Sequence, residues 1–191
     1  LFILLCVGLN IVKGFCGQVT VGHIGLYAIG AVSSALLAQN YEISFWLSAT
    51  IAVLITGFAG IIVGLPSVRL EGAYLALATL GLGESVRIMI AVTPALGSST
   101  GIMLIPPPSI GDFIFDSFEK YYYLVMTCAL LGIYFSFAIL RSSTGRAFQA
   151  IREDPIAASV IGINVTMYKL FAFVISAIYA GLAGALFAHM P

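Results

Sequence analysis

Six stretches of this sequence are dominated by apolar residues: 1–12, 19–38, 43–65, 73–92, 121–140 and 168–189. All but the first reach the roughly 17 to 25 residues that an α-helix needs to cross a hydrocarbon layer of about 30 Å. With 61% hydrophobic residues, 8% charged residues and a mean hydropathy of +1.10, a water-soluble domain is excluded, because it could not hide so much hydrocarbon. The runs are continuous rather than alternating, which fits spanning helices and not barrel strands. The sequence therefore predicts an all-α, polytopic membrane helix bundle with about six spans, forming a single domain over 1–191. Leu1 opens inside an apolar run and Pro191 stands where the last one finishes, so a fragment of a longer protein is expected.

Charge placement gives the chain an orientation. If the spans alternate, Lys13, Arg69, Arg141, Arg146, Arg152 and Lys169 fall on one side and Lys120 on the other. Lysine and arginine accumulate in cytoplasmic loops, so the first side is expected to be cytoplasmic. Glu42, Asp112, Asp116 and Glu119 fall opposite. The segment 93–120 is then an extracytoplasmic loop, and Pro94, Gly97, Gly101, Pro106 to Pro108 and Gly111 forbid a continuous helix there. Its length fits either a binding surface or a loosely packed lid. Tyr121 to Tyr123 read as an interfacial aromatic belt. Small residues recur at helix-packing spacing, in Gly60 and Gly64 and in Ala177, Gly181 and Ala185, and predict close helix contacts.

The cytoplasmic segment 141–167 departs from the apolar background. Ser142, Ser143 and Thr144 can cap a short helix in which Ala147, Phe148 and Ile151 share a face. Asp154 can cap a second helix with Pro155 in its first turn, running past Ala157 and Ala158 until Gly162 ends it. Asn164 or Thr166 starts the last span. Two short amphipathic helices on the cytoplasmic face follow, with small apolar residues exposed between charges. They could lie in the headgroup layer, with arginines on anionic lipid. Alanine, however, buries little hydrocarbon and suits a groove in a partner protein better than a bilayer.

Three stretches carry a family resemblance. "STGRAFQAIREDPIAASVIGINVTMYKLFAFVISAIYAGLAGALFAH" resembles the cytoplasmic loop and following helix of permease subunits of branched-chain amino acid ABC transporters. "GFCGQVTVGHIGLYAIGAV" resembles the family's G-Q-x-S-L-G-H segment, and "LEGAYLALATLGLGESVRIM" its R-G-x-Y-F-A-x-x-T-L-G-x-x-E-x-x-R segment. The resemblance implies an inner-membrane importer subunit for leucine, isoleucine, valine or a similar small solute. It further implies a second homologous permease, two cytoplasmic ATPases and an extracytoplasmic binding protein as partners. Arg146, Phe148, Ile151, Arg152, Asp154, Ala157, Ala158 and Gly162 would then belong to the loop that couples to the ATPases. Ile156 stands where the general permease pattern has a glutamate, and the later I-x-L-P is absent. A permease for urea or short amides, or a self-contained secondary transporter or channel, are the alternatives.

Within the spans, Gln18, His23, Glu84 and Arg87 are candidates for the translocation pathway. Glu84 and Arg87 are three residues apart on one helix, so they can pair with each other or receive the ammonium and carboxylate of a zwitterion. His23 lies among Gly14, Gly17, Gly22 and Gly25, whose density fits close backbone packing or a kink lining a cavity. Cys6, Cys16 and Cys128 read as small core residues rather than a disulfide framework. The phosphate-binding pattern G-x-x-x-x-G-K-[ST] is absent, so ATP hydrolysis is expected in separate subunits, and no cofactor, metal site or nucleic-acid partner is predicted.

Overall fold

A short apolar helix, α1 (Phe2–Leu9), tightens no further but widens: Asn10–Phe15 continues it as a π-helix, with the Cys16 N–H donating to Ile11 O. The Asn10 side chain fills the space beside Gly14, where any Cβ would lie 2.0 Å from Asn10 Oδ1. Gly17 then turns the chain with φ +73°, a conformation that favours glycine. The chain runs non-helically through Val21 before α2 (His23–Tyr41) begins. The second apolar run therefore starts as a helix at His23, not at residue 19. The computed structural model describes residues 1–41, 43–97, 101–102, 105–110, 113–115 and 117–190.

Four more long or short helical units complete the bundle before the last span. They are α3 (Phe45–Gly64), α4 (Gly72–Val92), α5 (Phe118–Arg141) and the pair α6 (Ser143–Glu153) and α7 (Pro155–Val160). Helix α8 (Val165–Ala188) closes the chain. A 3-10 turn, Leu65–Val68, joins α3 to α4. Among the described residues α3, α4, α5 and α8 are long and apolar enough to cross a membrane. Of the about six spans expected, these four are present as complete apolar helices. Of the other two apolar runs, the first forms the shorter α1 and π-helix unit, Phe2–Phe15, and the second forms α2, which is 19 residues long but includes His23, Ser33, Ser34, Gln39 and Asn40.

Helix α8 is the hub, packed against α1, α2 and α3. Its inward faces are lined by small residues, among them Ala172, Ser176, Ala177, Ala180, Gly181, Gly184 and Ala185, so neighbouring backbones approach closely. A Cβ on Gly30 would lie 2.6 Å from Gly181 Cα, and one on Gly60 would lie 2.4 Å from Ala177 Cβ. The two small-residue patterns of the sequence thus pack against each other inside one chain. By contrast, α4 buries Leu75 and Thr79 and leans chiefly on α2, while α5 leans on α1 and α6.

At one end of the bundle the chain between α4 and α5 forms a 3-10 turn, Pro94–Leu96, and two-residue strands β1 (Ser109–Ile110) and β2 (Phe113–Ile114), antiparallel with Ser109 opposite Ile114. This connection is fastened down. His189, 2% exposed, bonds Pro106 O through Nδ1 at 2.9 Å and Ser34 Oγ through Nε2 at 3.0 Å. The Trp46 indole N–H donates to Ser109 O at 2.9 Å. Tyr121 is buried and donates to Leu186 O, so of the three tyrosines Tyr122 and Tyr123 are the exposed ones. Glu42, Gly111, Asp112 and Asp116 lie outside the described residues.

At the other end sit α6 and α7. Asp154 accepts from the N–H groups of Ile156 at 2.8 Å and Ala157 at 3.1 Å, and Pro155 occupies the first turn of α7. Gly162, φ +89°, ends it, and Asn164 caps α8 by accepting from Met167 N–H at 3.1 Å. Asp154→Ala is expected to cost about 1 kcal/mol locally. Hydrogen exchange at Ile156 to Val160 reads it: faster exchange is the expected result, and unchanged protection would show that the cap does not hold this helix.

Candidate functional site

The elements carrying Lys13, Arg69, Arg141, Arg146, Arg152 and Lys169 meet at the α6–α7 end, since α6 touches the π-helix, α5 and α8, and α8 touches the Leu65–Val68 turn. Arg152 donates through Nη1 to Gly14 O. Lys169, 7% exposed, reaches across to Glu71 at the start of α4, with Nζ to Oε1 at 2.9 Å. Gln18 is buried beside it and donates to Lys169 O at 3.3 Å, while its Oε1 has no protein partner. These groups surround a cavity of about 200 Å³ between the π-helix, α4, α6 and α8.

The two-helix insert has a sharp inside and outside. Phe148 and Ile151 are buried to 0% and 2% exposure, with Phe148 edge-on to Tyr168 at 6.2 Å between ring centres. Ala158 is buried as well. Three of the residues that the sequence places in the coupling loop, Phe148, Ile151 and Ala158, therefore face the bundle and hold the insert against it. The physical reason is helix geometry. In α7, Ile156 and Val160 share one side at i, i+4, and Ala158 lies two residues from each, on the opposite side. Ile156, Val160 and Ile161 are 76%, 82% and 74% exposed, flanked by Ala157, Arg152 and Asp154, which are exposed too. Arg146 also points outward. This apolar knob on a charged base is the surface the sequence reading missed, and the i, i+4 spacing of Ile156 and Val160 was the available signal.

The four polar candidates within the spans do not converge. Gln18 belongs to the α6–α7 end, as described. His23 is buried against α8, with Nδ1 3.2 Å from Ser176 Oγ, and its Nε2 has no protein partner. Glu84 and Arg87 pair with each other on α4, where Arg87 Nε donates to both carboxylate oxygens of Glu84 at 2.9 Å. Both remain open to the surroundings, at 50% and 68% side-chain exposure. His189 and Glu71 went unnoticed in the sequence because their partners are 83 to 155 residues away.

The profile of the family described as "Branched-chain amino acid transport system / permease component" matches residues 1–191. The high-affinity branched-chain amino acid transport system permease protein LivM of Salmonella typhimurium is 39% identical over 212 aligned residues, which take in 98% of this chain and 50% of that protein. LivM of Escherichia coli shows the same identity and coverage. The guanosine ABC transporter permease protein NupQ of Bacillus subtilis is 27% identical, over 90% of this chain and 59% of its own length. The chain spans about half the length of the LivM proteins it matches. No solved structure matches it.

Proposed function

The chain belongs to the branched-chain amino acid transport permease family, and on that premise we propose that it is the membrane-spanning subunit of an ABC importer in a bacterial plasma membrane. Its substrates are branched-chain or similar small amino acids. The motor is separate: two cytoplasmic ATPase subunits, with a second homologous permease completing the pathway and an extracytoplasmic binding protein delivering the solute. The α6–α7 end faces the cytosol, in keeping with the cations gathered there.

The observation that carries this reading is the capped insert of α6 and α7, clamped to the bundle through Phe148, Ile151 and Ala158 and presenting Ile156, Val160 and Ile161 outward. A rigid element with a bare apolar tip suits a groove in a partner protein. Because its underside packs on α8 and on the π-helix, a push on the tip is passed to the spans rather than absorbed by a loop. Closure of the ATPases would move the insert and tilt α5 and α8 with it, switching access from outside to inside. The pinned connection between α4 and α5 lies at the opposite end and would receive the binding protein.

Reconstitution tests this. The full-length protein with its ATPases, second permease and binding protein, placed in liposomes, should take up leucine only when ATP is supplied on the ATPase side. Uptake driven by a proton or sodium gradient without ATP would overturn the importer reading in favour of a self-contained transporter.

A further inference from the structure

Helices α2 and α4 touch through glycine. A Cβ on Gly22 would lie 2.3 Å from Thr79 O, and one on Gly25 would lie 2.8 Å from Gly83 Cα; the Val21 N–H donates to Thr79 Oγ1 at 3.1 Å. Just beyond this contact, where Gly25 and Gly83 contribute no side chains, a cavity of about 220 Å³ opens between the helices. Its wall is aliphatic, made by Val21, Ile24, Ala28 and Leu80. Its remaining lining residues are Glu84 and Arg87. An aliphatic groove with one carboxylate and one guanidinium at its side therefore runs along the α2–α4 seam, open on one side, where Ile24, Leu80 and Val21 are 75%, 50% and 48% exposed.

The depth of that pair makes it informative. At 1.5 Å per residue, Glu84 and Arg87 lie about 12 and 8 Å inside the Val92 end of α4. Ionisable groups inside a span are costly unless paired, and they mark solute pathways. As they stand, each satisfies the other. A zwitterion can replace that pairing without stranding a charge: its ammonium meets the Glu84 carboxylate, its carboxylate meets the Arg87 guanidinium in a two-pronged hydrogen bond, and the net charge of the site stays zero.

We infer that the α2–α4 cavity is a transit site for an α-amino acid with an aliphatic side chain, held by Glu84 and Arg87 at its two charged groups and by Val21, Ile24, Ala28 and Leu80 around its hydrocarbon. This assignment rests on the importer reading above and adds where the solute pauses and what discriminates it. Glycine at positions 25 and 83 serves two ends at once, letting the helices cross closely and leaving room for the side chain.

The test uses the complete complex in liposomes and compares alanine, valine and leucine uptake. Ala28→Leu shrinks the groove and should shift the alanine-to-leucine ratio of kcat/KM toward alanine by about tenfold or more, since one methylene in an apolar pocket is worth that much. Ala28→Gly should shift it the other way, and decides the matter if the leucine variant fails to assemble. The double variant Glu84→Gln with Arg87→Gln removes both charges while keeping shape, so a purely structural ion pair would tolerate it. Here KM for every amino acid should rise at least about tenfold, with the ratio among them unchanged. Ratios within about twofold of the original in both Ala28 variants, or an unchanged KM in the double variant, overturn the site while leaving the importer reading intact. Absence of amino acid uptake by the unaltered complex overturns the importer reading itself, and this site with it.

Discussion

Gly184→Leu is expected to prevent the bundle from forming its native core. A Cβ at that position would stand 2.2 Å from Tyr27 O and 2.7 Å from Ala31 N, both backbone atoms of α2, so no side-chain rearrangement relieves the clash. Helices α2 and α8 would have to separate along their length, and with them the contact of α8 to α3 through Gly181 and Thr56. Overpacking of a tight core commonly costs 1 to 3 kcal/mol, and a backbone clash at a helix crossing is expected at or above about 3 kcal/mol. Gly81→Leu is the matched control, because nothing lies within 4 Å of a Cβ there. In mild detergent, size-exclusion profiles should show the Gly184 variant aggregated and the Gly81 variant monodisperse. Equal profiles would mean that α2 and α8 are not packed as described.

The second large effect concerns transport rather than folding. Ile156→Asp combined with Val160→Asp places two carboxylates on a tip whose side chains are 76% and 82% exposed, so the insert should fold as before. If the tip seats in a groove of the ATPase, losing two apolar anchors costs about 3 kcal/mol of docking free energy, which is roughly a hundredfold in affinity. ATP-dependent uptake should fall by a comparable factor, and the ATPases should no longer copurify with the permease. Ala158→Asp gives a contrasting result: it buries a carboxylate under α7 and should loosen the insert itself, seen as rapid proteolysis between residues 154 and 163. Undiminished uptake in the double aspartate variant would remove the tip from the coupling interface.

The contrast between these variants shows what sequence can and cannot reveal here. Asp154, Pro155, Gly162 and Asn164 were readable as caps and stops because a cap acts on amides two or three residues away, and the structure has those bonds. The small residues of α3 and α8 were readable as packing positions for the same reason of spacing, although not as partners of one another. The inward or outward sense of Phe148, Ile151 and Ala158 was not readable, because an amphipathic helix at a membrane surface can bury its apolar face in lipid, in a partner or in its own bundle, and sequence periodicity is identical in all three cases. The late start of α2 was hidden by the apolar character of residues 19 to 22, which continues the hydrophobic run while the backbone has already left the helix. The Glu71–Lys169 pair and the His189 contacts join segments 83 to 155 residues apart and leave no local signature.

Coupling to ATP requires that α7 be gripped by a protein in the cytosol. A photo-crosslinking amino acid in place of Val160, in the full-length protein within intact cells, addresses that contact directly. The expected product is a covalent adduct with the ATPase subunit that disappears when Ile156 is changed to aspartate. Adducts confined to lipid, or labelling of a cysteine at the same position by a membrane-impermeant reagent added outside the cell, would contradict it.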